Sequence, residues 1–142
     1  ASLEYSPIDE EMKPAVLRMV EKCLLTPRGL RTLSPTNEKY VGIYQGNQES
    51  RDSAYHQGTV WPWLLEHYCE AYLNIHKASG IPFIKRIVEG FEPATFEHGI
   101  GTISEIYDGD PPHQSRGAIS QAWSVAALLR IIQKLESLEQ GE

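Results

Sequence analysis

The chain has 142 residues, a formal net charge of −6, 41% hydrophobic and 23% charged residues, which favours one folded domain or part of one over a disordered segment. The acidic surplus gives no footprint for nucleic-acid phosphates or an anionic membrane surface, so neither is an expected partner, whereas a neutral polymer such as a polysaccharide fits. No apolar run approaches the length of a membrane span, and the first residues do not show the basic-then-apolar pattern of a secretory leader.

Residues 8–25 are expected to form the first helix. Met12, Val16, Met19, Val20, Cys23 and Leu24 recur at helical spacing on one face. Ser6-Pro7 followed by Asp9 and Glu10 suits a helix start, and Pro27 with Gly29 suits its end. Residues 26–57 read as a long connection rich in Pro, Gly and polar residues, with short extended pieces around Lys39 to Gln45. Connections of that length in compact domains are often functional.

A second helix is predicted over 58–78, with Trp61, Leu64, Leu65, Tyr68, Ala71, Tyr72 and Ile75 on one side, Pro62 tolerated in the first turn and Ser79-Gly80 as the stop. The third spans 81–97, with Ile84, Ile87, Val88 and Phe91 apolar and a break at Gly90 to Pro93. The fourth spans 118–138, where Ile119, Ala122, Trp123, Ala126, Leu129, Ile132 and Leu135 form a stripe. As a core aromatic, Trp123 would cost about 3–5 kcal/mol on truncation to alanine.

Together these elements predict an all-α protein in a single domain over residues 1–142. Helices alternating with loops of very unequal length suit antiparallel helical hairpins with one elaborated rim, as in part of an α/α toroid. Periodicity alone does not separate a toroid from a bundle. Cys23 and Cys69 both sit in apolar helical patterns and read as buried thiols, which fits a reducing, cytoplasmic setting. The start at Ala1, without a Met and close to structure, is read as an excised piece of a longer protein.

Two segments concentrate reactive and sugar-binding side chains. In ESRDSAYHQGTVWPWLLEHY, residues 49–68, the groups Arg51, Asp52, Tyr55, His56 and Gln57 run straight into an apolar helix start. An Arg51–Asp52 pair can clamp hydroxyls, which both donate and accept; the alternative is a loop salt bridge. Trp61 offers a stacking face, while Trp63 reads as core. In residues 101–130, Glu105 lies near Ile103 and Ile106, with Gly99 and Gly101 bringing the chain in closely. A carboxylate there can activate water; the alternative is a solvent-facing acid in a turn.

Asp108 and Asp110, within YDGDPP, read as turn residues bonded to backbone. His113 and Arg116 either orient substrate or brace the loop. The five histidines, His56, His67, His76, His98 and His113, lack the close spacing of a zinc site. With no phosphate-binding glycine loop and no nucleophile-elbow serine, no metal and no cofactor is expected.

RDSAYHQGTVWPWL and SEIYDGDPPHQSRGAISQAWSVA resemble the C-terminal part of the amylo-α-1,6-glucosidase domain of glycogen debranching enzymes. GLRTLSPTNEKYVGIYQGN, residues 29–47, resembles the segment that precedes them in that family. The pattern is also similar, more distantly, to glucoamylases. The resemblance implies the last hairpins of an (α/α)6 barrel and inverting hydrolysis of an α-1,6-linked glucose stub in a branched α-glucan or oligosaccharide. By this likeness Glu105 matches the general base, and Trp61 stacks on or walls the glucose subsite. Tyr55, His56, Gln57 and Arg116 then bind hydroxyls.

The family's general acid is expected upstream, roughly 6.5–9.5 Å from the base in the assembled site, with Asp52 the in-chain substitute. The implied partners are therefore the glucan substrate and the remainder of the parent catalytic domain. The piece alone is expected to be inactive and, with inner helix faces exposed, to self-associate. The competing readings are another toroid glycosidase of glucoamylase or trehalase type, or a non-catalytic carbohydrate-binding module.

Overall fold

The computed structural model describes residues 1–3 and 5–140, and it departs from an all-α fold. The described residues hold five α-helices: α1 (Lys13–Cys23), α2 (Gln48–Ala54), α3 (Leu64–His76), α4 (Ile81–Glu89) and α5 (Ala122–Gln140). Threaded between them are five short strands: β1 (Leu25–Thr26), β2 (Gly29–Arg31), β3 (Val60–Trp61), β4 (Ile106–Tyr107) and β5 (Ser115–Arg116). These form one antiparallel sheet in chain order, β1-β2-β3-β4-β5. The register pairs Leu30 with Trp61, Val60 with Tyr107 and Ile106 with Arg116. The sheet overturns the expectation of an α/α toroid fragment. Strands two or three residues long are too short to display a period of two, so sequence periodicity could not reveal them.

The same error set the helix limits. The second helix was expected from residue 58, but β-branched Thr59 and Val60 and aromatic Trp61 lead into and form strand β3, so α3 starts at Leu64. The first begins at Lys13 because residues before it make turns, with Met12 and Lys13 N–H donating to Asp9 and Glu10 carbonyls. The extended pieces placed at Lys39 to Gln45 are absent; those residues run irregularly. The connection instead hides α2, whose N-cap Asn47 accepts from Ser50 N–H at 2.9 Å. Its polar sequence QESRDSA carries no apolar stripe to signal a helix. The break after α4 lies where expected, with a 3₁₀ turn at Pro93–Phe96 beyond it.

Helix α3 is the centre of the core. It packs on α1, on α5 and on β2, while α4 packs on α5. Leu65, Tyr68, Cys69, Leu73, Ile84, Phe91 and Ile131 are buried together, and Leu30, Val60 and Tyr107 bring the sheet into the same cluster. Burying a side chain of this size contributes about 1.5–3 kcal/mol, so the sheet is anchored by its side chains more than by its few ladder bonds.

Helix α5 turns inward a face that only partly matches the expected stripe, of which Leu135 is buried. Ser124, Ala127, Ile131 and Leu135 are buried, whereas Trp123 is 52% and Leu129 55% exposed. Ile119, expected to head the stripe, precedes the helix and is exposed. Val125 and Leu128 pack partly against the core beside the buried residues, while Trp123 and Leu129 are turned outward. Trp123→Ala is therefore expected to cost less than about 1 kcal/mol in a urea unfolding experiment, not the 3–5 of a core aromatic. A cost above about 3 kcal/mol would put the indole back in the core.

The two thiols also differ. Cys69 is buried on α3, and burial pushes its thiol up to about 12. Cys23 is half-buried, its Sγ 3.5 Å from Met19 Sδ. Iodoacetamide at pH 8 should label Cys23 alone in the native protein and both cysteines in denaturant, as read by mass spectrometry. Equal native labelling of Cys69 would contradict its burial.

Candidate functional site

Glu105 stands one residue before β4, where the β4–β5 ladder continues irregularly towards α5. Its N–H donates to the Ala118 carbonyl at 3.0 Å, and Gln121 N–H donates to the Ile103 carbonyl at 3.1 Å. Both carboxylate oxygens are then held. Ala118 N–H donates to Oε2 at 3.0 Å, and the Tyr55 hydroxyl donates to Oε1. Each oxygen accepts one bond and keeps a lone-pair direction free. Gly117 makes this possible: its φ is +68°, and a Cβ there would run into the Glu105 carboxylate.

Tyr55 is the C-cap residue of α2, placed by its N–H bond to the Arg51 carbonyl. Desolvation by burial, then the hydrogen bond and negative charge of Glu105, push its phenol well above the usual tyrosine range. Tyr55 is thus a fixed donor to Glu105. This contact positions the carboxylate.

An aromatic bank extends from Tyr55. Its ring lies 4.9 Å from Trp61, edge to face, and 5.7 Å from Tyr44. His56 stacks on Trp61 at 5.1 Å with an interplanar angle of 14°. Trp61 is 5% exposed, and its Nε1–H donates to the Tyr55 carbonyl at 3.0 Å. Trp61, His56 and Tyr55 therefore form one unit beside Glu105, with Trp61 a wall and His56 exposed at its surface.

The remaining candidates divide. Arg51 donates to the Gly46 carbonyl at 2.7 Å, and Asp52 is exposed on α2. The Gln57 backbone is engaged, its carbonyl accepting from Val41 N–H at 2.7 Å, while its side chain is exposed. His113 and Arg116 are both drawn to Asp108. Arg116 donates to Asp108 Oδ2 from Nε at 3.0 Å and from Nη2 at 2.9 Å, and His113 Nδ1 lies 2.9 Å from the Asp108 carbonyl. These two brace the loop.

Asp108, expected to be a turn residue bonded to backbone, also holds the Arg116 side chain. It is 2% exposed, and its Oδ1 accepts from Tyr44 N–H at 2.8 Å. One carboxylate thus ties the β4–β5 hairpin to the loop that carries Tyr44. Asp110 does similar work, accepting from the Tyr40 hydroxyl at 2.9 Å. Between them, Gly109 N–H donates to the Gly42 carbonyl at 2.6 Å, and a Cβ on Gly109 would strike the Gly58 carbonyl. The sequence signal was a pair of aspartates around a glycine that must pass another backbone, read as an ordinary turn.

A carboxylate fixed by two donors beside an aromatic wall is a setting for sugar chemistry, and comparison with known proteins places the chain among glycosidase-related domains. The amylo-alpha-1,6-glucosidase family model matches residues 1–130, and the chain belongs to that family. It is similar to the glycogen debranching enzyme of Saccharomyces cerevisiae, 26% identical over 140 residues, with 84% of this chain and 9% of the relative covered. The chain thus spans about 9% of the length of the curated relative it matches.

Proposed function

We propose that this chain supplies the base side of an inverting glucosidase site that removes α-1,6-linked glucose at branch points of glycogen-like glucans. The observation that carries this reading is the Glu105 carboxylate, oriented by the Tyr55 hydroxyl and Ala118 N–H beside the Trp61 wall. With one donor on each oxygen, the carboxylate has a fixed direction and a free lone pair for the attacking water. It takes a proton from that water as the oxygen attacks the anomeric carbon, and the bond to the leaving oxygen breaks on the opposite face of the sugar.

The leaving oxygen needs a proton from a second carboxyl group. Asp52, exposed on α2, is a poor source, so the acid comes from another part of the parent catalytic domain. The test is glucose release from a branched limit dextrin by the 142-residue chain and by a longer polypeptide that carries it. Activity in the longer form alone, with β-glucose as the first product by proton NMR, supports a split inverting site. Release of α-glucose would refute inversion, and silence in both would refute the branch-point substrate.

A further inference from the structure

Residues 40–44 carry no regular structure, yet they are bonded on two sides. Towards the β4–β5 hairpin, Tyr44 N–H donates to Asp108 Oδ1 at 2.8 Å, and the Tyr40 hydroxyl donates to Asp110 Oδ1 at 2.9 Å. The Gly42 carbonyl between them accepts from Gly109 N–H at 2.6 Å. Towards α2, Val41 N–H donates to the Gln57 carbonyl at 2.7 Å. The approach is close on both sides: a Cβ on Gly42 would strike the Asp110 carboxylate, and one on Gly58 the Val41 carbonyl.

The stretch is therefore a strap between two pieces of the fold, and the partners of the Tyr55–Glu105 bond stand on those two pieces. Glu105 leads into β4, and Tyr55 ends α2 two residues before Gln57. Tyr44 is half-buried, its ring 5.7 Å from the Tyr55 ring at an interplanar angle of 44°. That separation is contact range for an aromatic pair. His56 and Trp61 also meet Tyr55, but both follow it closely in the chain; Tyr44 brings its restraint from the strap.

We propose that Tyr44 is a positioning residue for the candidate base: its ring, fixed by the strap, holds the Tyr55 phenol on the Glu105 carboxylate. This rests on the glucosidase reading of Glu105. The physical reason is directional. A hydrogen bond weakens steeply as its angle closes, and a phenol free to swing about its side-chain torsions spends less time aligned. A base must present its lone pair to the attacking water, and small misplacements of reacting groups cost large factors in rate. The strap itself is bonded through the Tyr44 N–H, a group that every substitution except proline keeps. Changing the side chain therefore removes the ring and leaves that bond in place.

The test follows the Tyr55 hydroxyl proton in the 142-residue chain by NMR. Bonded to a carboxylate, it is expected as a downfield, slowly exchanging signal, assigned by its loss in Tyr55→Phe. Tyr44→Ala should speed its exchange at least tenfold, and Tyr44→Phe, which keeps the ring, should leave it nearly unchanged. In the longer enzyme, Tyr44→Ala should lower kcat on a branched limit dextrin about tenfold with KM within about twofold, and Tyr44→Phe should restore turnover. A thermal melt of each sample accompanies both readouts.

Unchanged exchange in a folded Tyr44→Ala, or no protected signal in the unaltered chain, would overturn the proposal. Equal loss in Tyr44→Phe would overturn the role of the ring. A raised KM with normal kcat would make Tyr44 a substrate contact and overturn positioning. Should Tyr44→Ala fail to fold, Tyr44→Leu, apolar but shorter than the ring, decides by the same exchange rate. The reading of Glu105 as base fails by a separate route, through normal glucose release by Glu105→Gln in the longer enzyme, and the exchange readout does not depend on that result.

Discussion

Glu105→Gln is expected to lower glucose release from a branched limit dextrin by about 10²–10⁴-fold in an enzyme that carries this segment, with little change in Tm. The amide preserves the shape of the side chain but cannot take a proton from water. Its oxygen can still accept from one of the two donors, Tyr55 or Ala118 N–H. The other donor then faces an amide NH₂ in a half-exposed position, where water can satisfy it, so the stability cost stays near 1 kcal/mol or below. Steady-state kinetics with a thermal melt of the same sample decides the matter. Near-normal turnover would remove Glu105 as the base; a large drop in Tm would make the loss of activity a folding defect.

Asp108→Ala should have the largest effect on stability, about 3 kcal/mol in urea unfolding. The carboxylate is almost wholly buried and holds Arg116 and Tyr44 N–H at once. Its removal leaves a partly buried guanidinium and a backbone donor without acceptors, and breaking such a pair from one side commonly costs 3–5 kcal/mol. The lower end applies because the Arg116 side chain is 27% exposed and recovers some hydration. Asp108→Asn keeps an acceptor for Tyr44 and should cost less. A cost below about 1 kcal/mol for the alanine variant would mean that the hairpin stands without this tie. Activity should fall alongside stability, since the hairpin also carries Glu105.

The helical part of the fold was legible wherever an apolar stripe ran for several turns, as in α3 and α4. It was misread where a helix buries small residues beside large exposed ones. In α5 the reading followed Trp123 and Leu129, while the packing followed Ser124 and Ala127. The sheet was illegible because no strand among the described residues exceeds three residues, and the β2–β3 and β3–β4 pairings join distant parts of the chain. The site divides in the same way. Glu105, Tyr55 and Trp61 were picked out as residues from polar and aromatic groups set against apolar runs, and the geometry brings them together. Their mutual roles were hidden, since the bond between Tyr55 and Glu105 spans 50 positions. The bracing role of Asp108 escaped because a buried carboxylate is identified by its partners, and those come from Arg116 across the hairpin and from Tyr44 in a distant loop.

That span of 50 positions has a consequence for folding order. The helices draw on local spacing and can form early, but the setting of Glu105 needs β3, β4 and β5 aligned, and Val60 meets Tyr107 only when the chain between them has been closed into a loop. A chain with formed helices and an open sheet would carry every residue of the site and none of its chemistry. The oriented carboxylate therefore reports a long-range closure, and a partly folded molecule has no aligned base to act on a glucan.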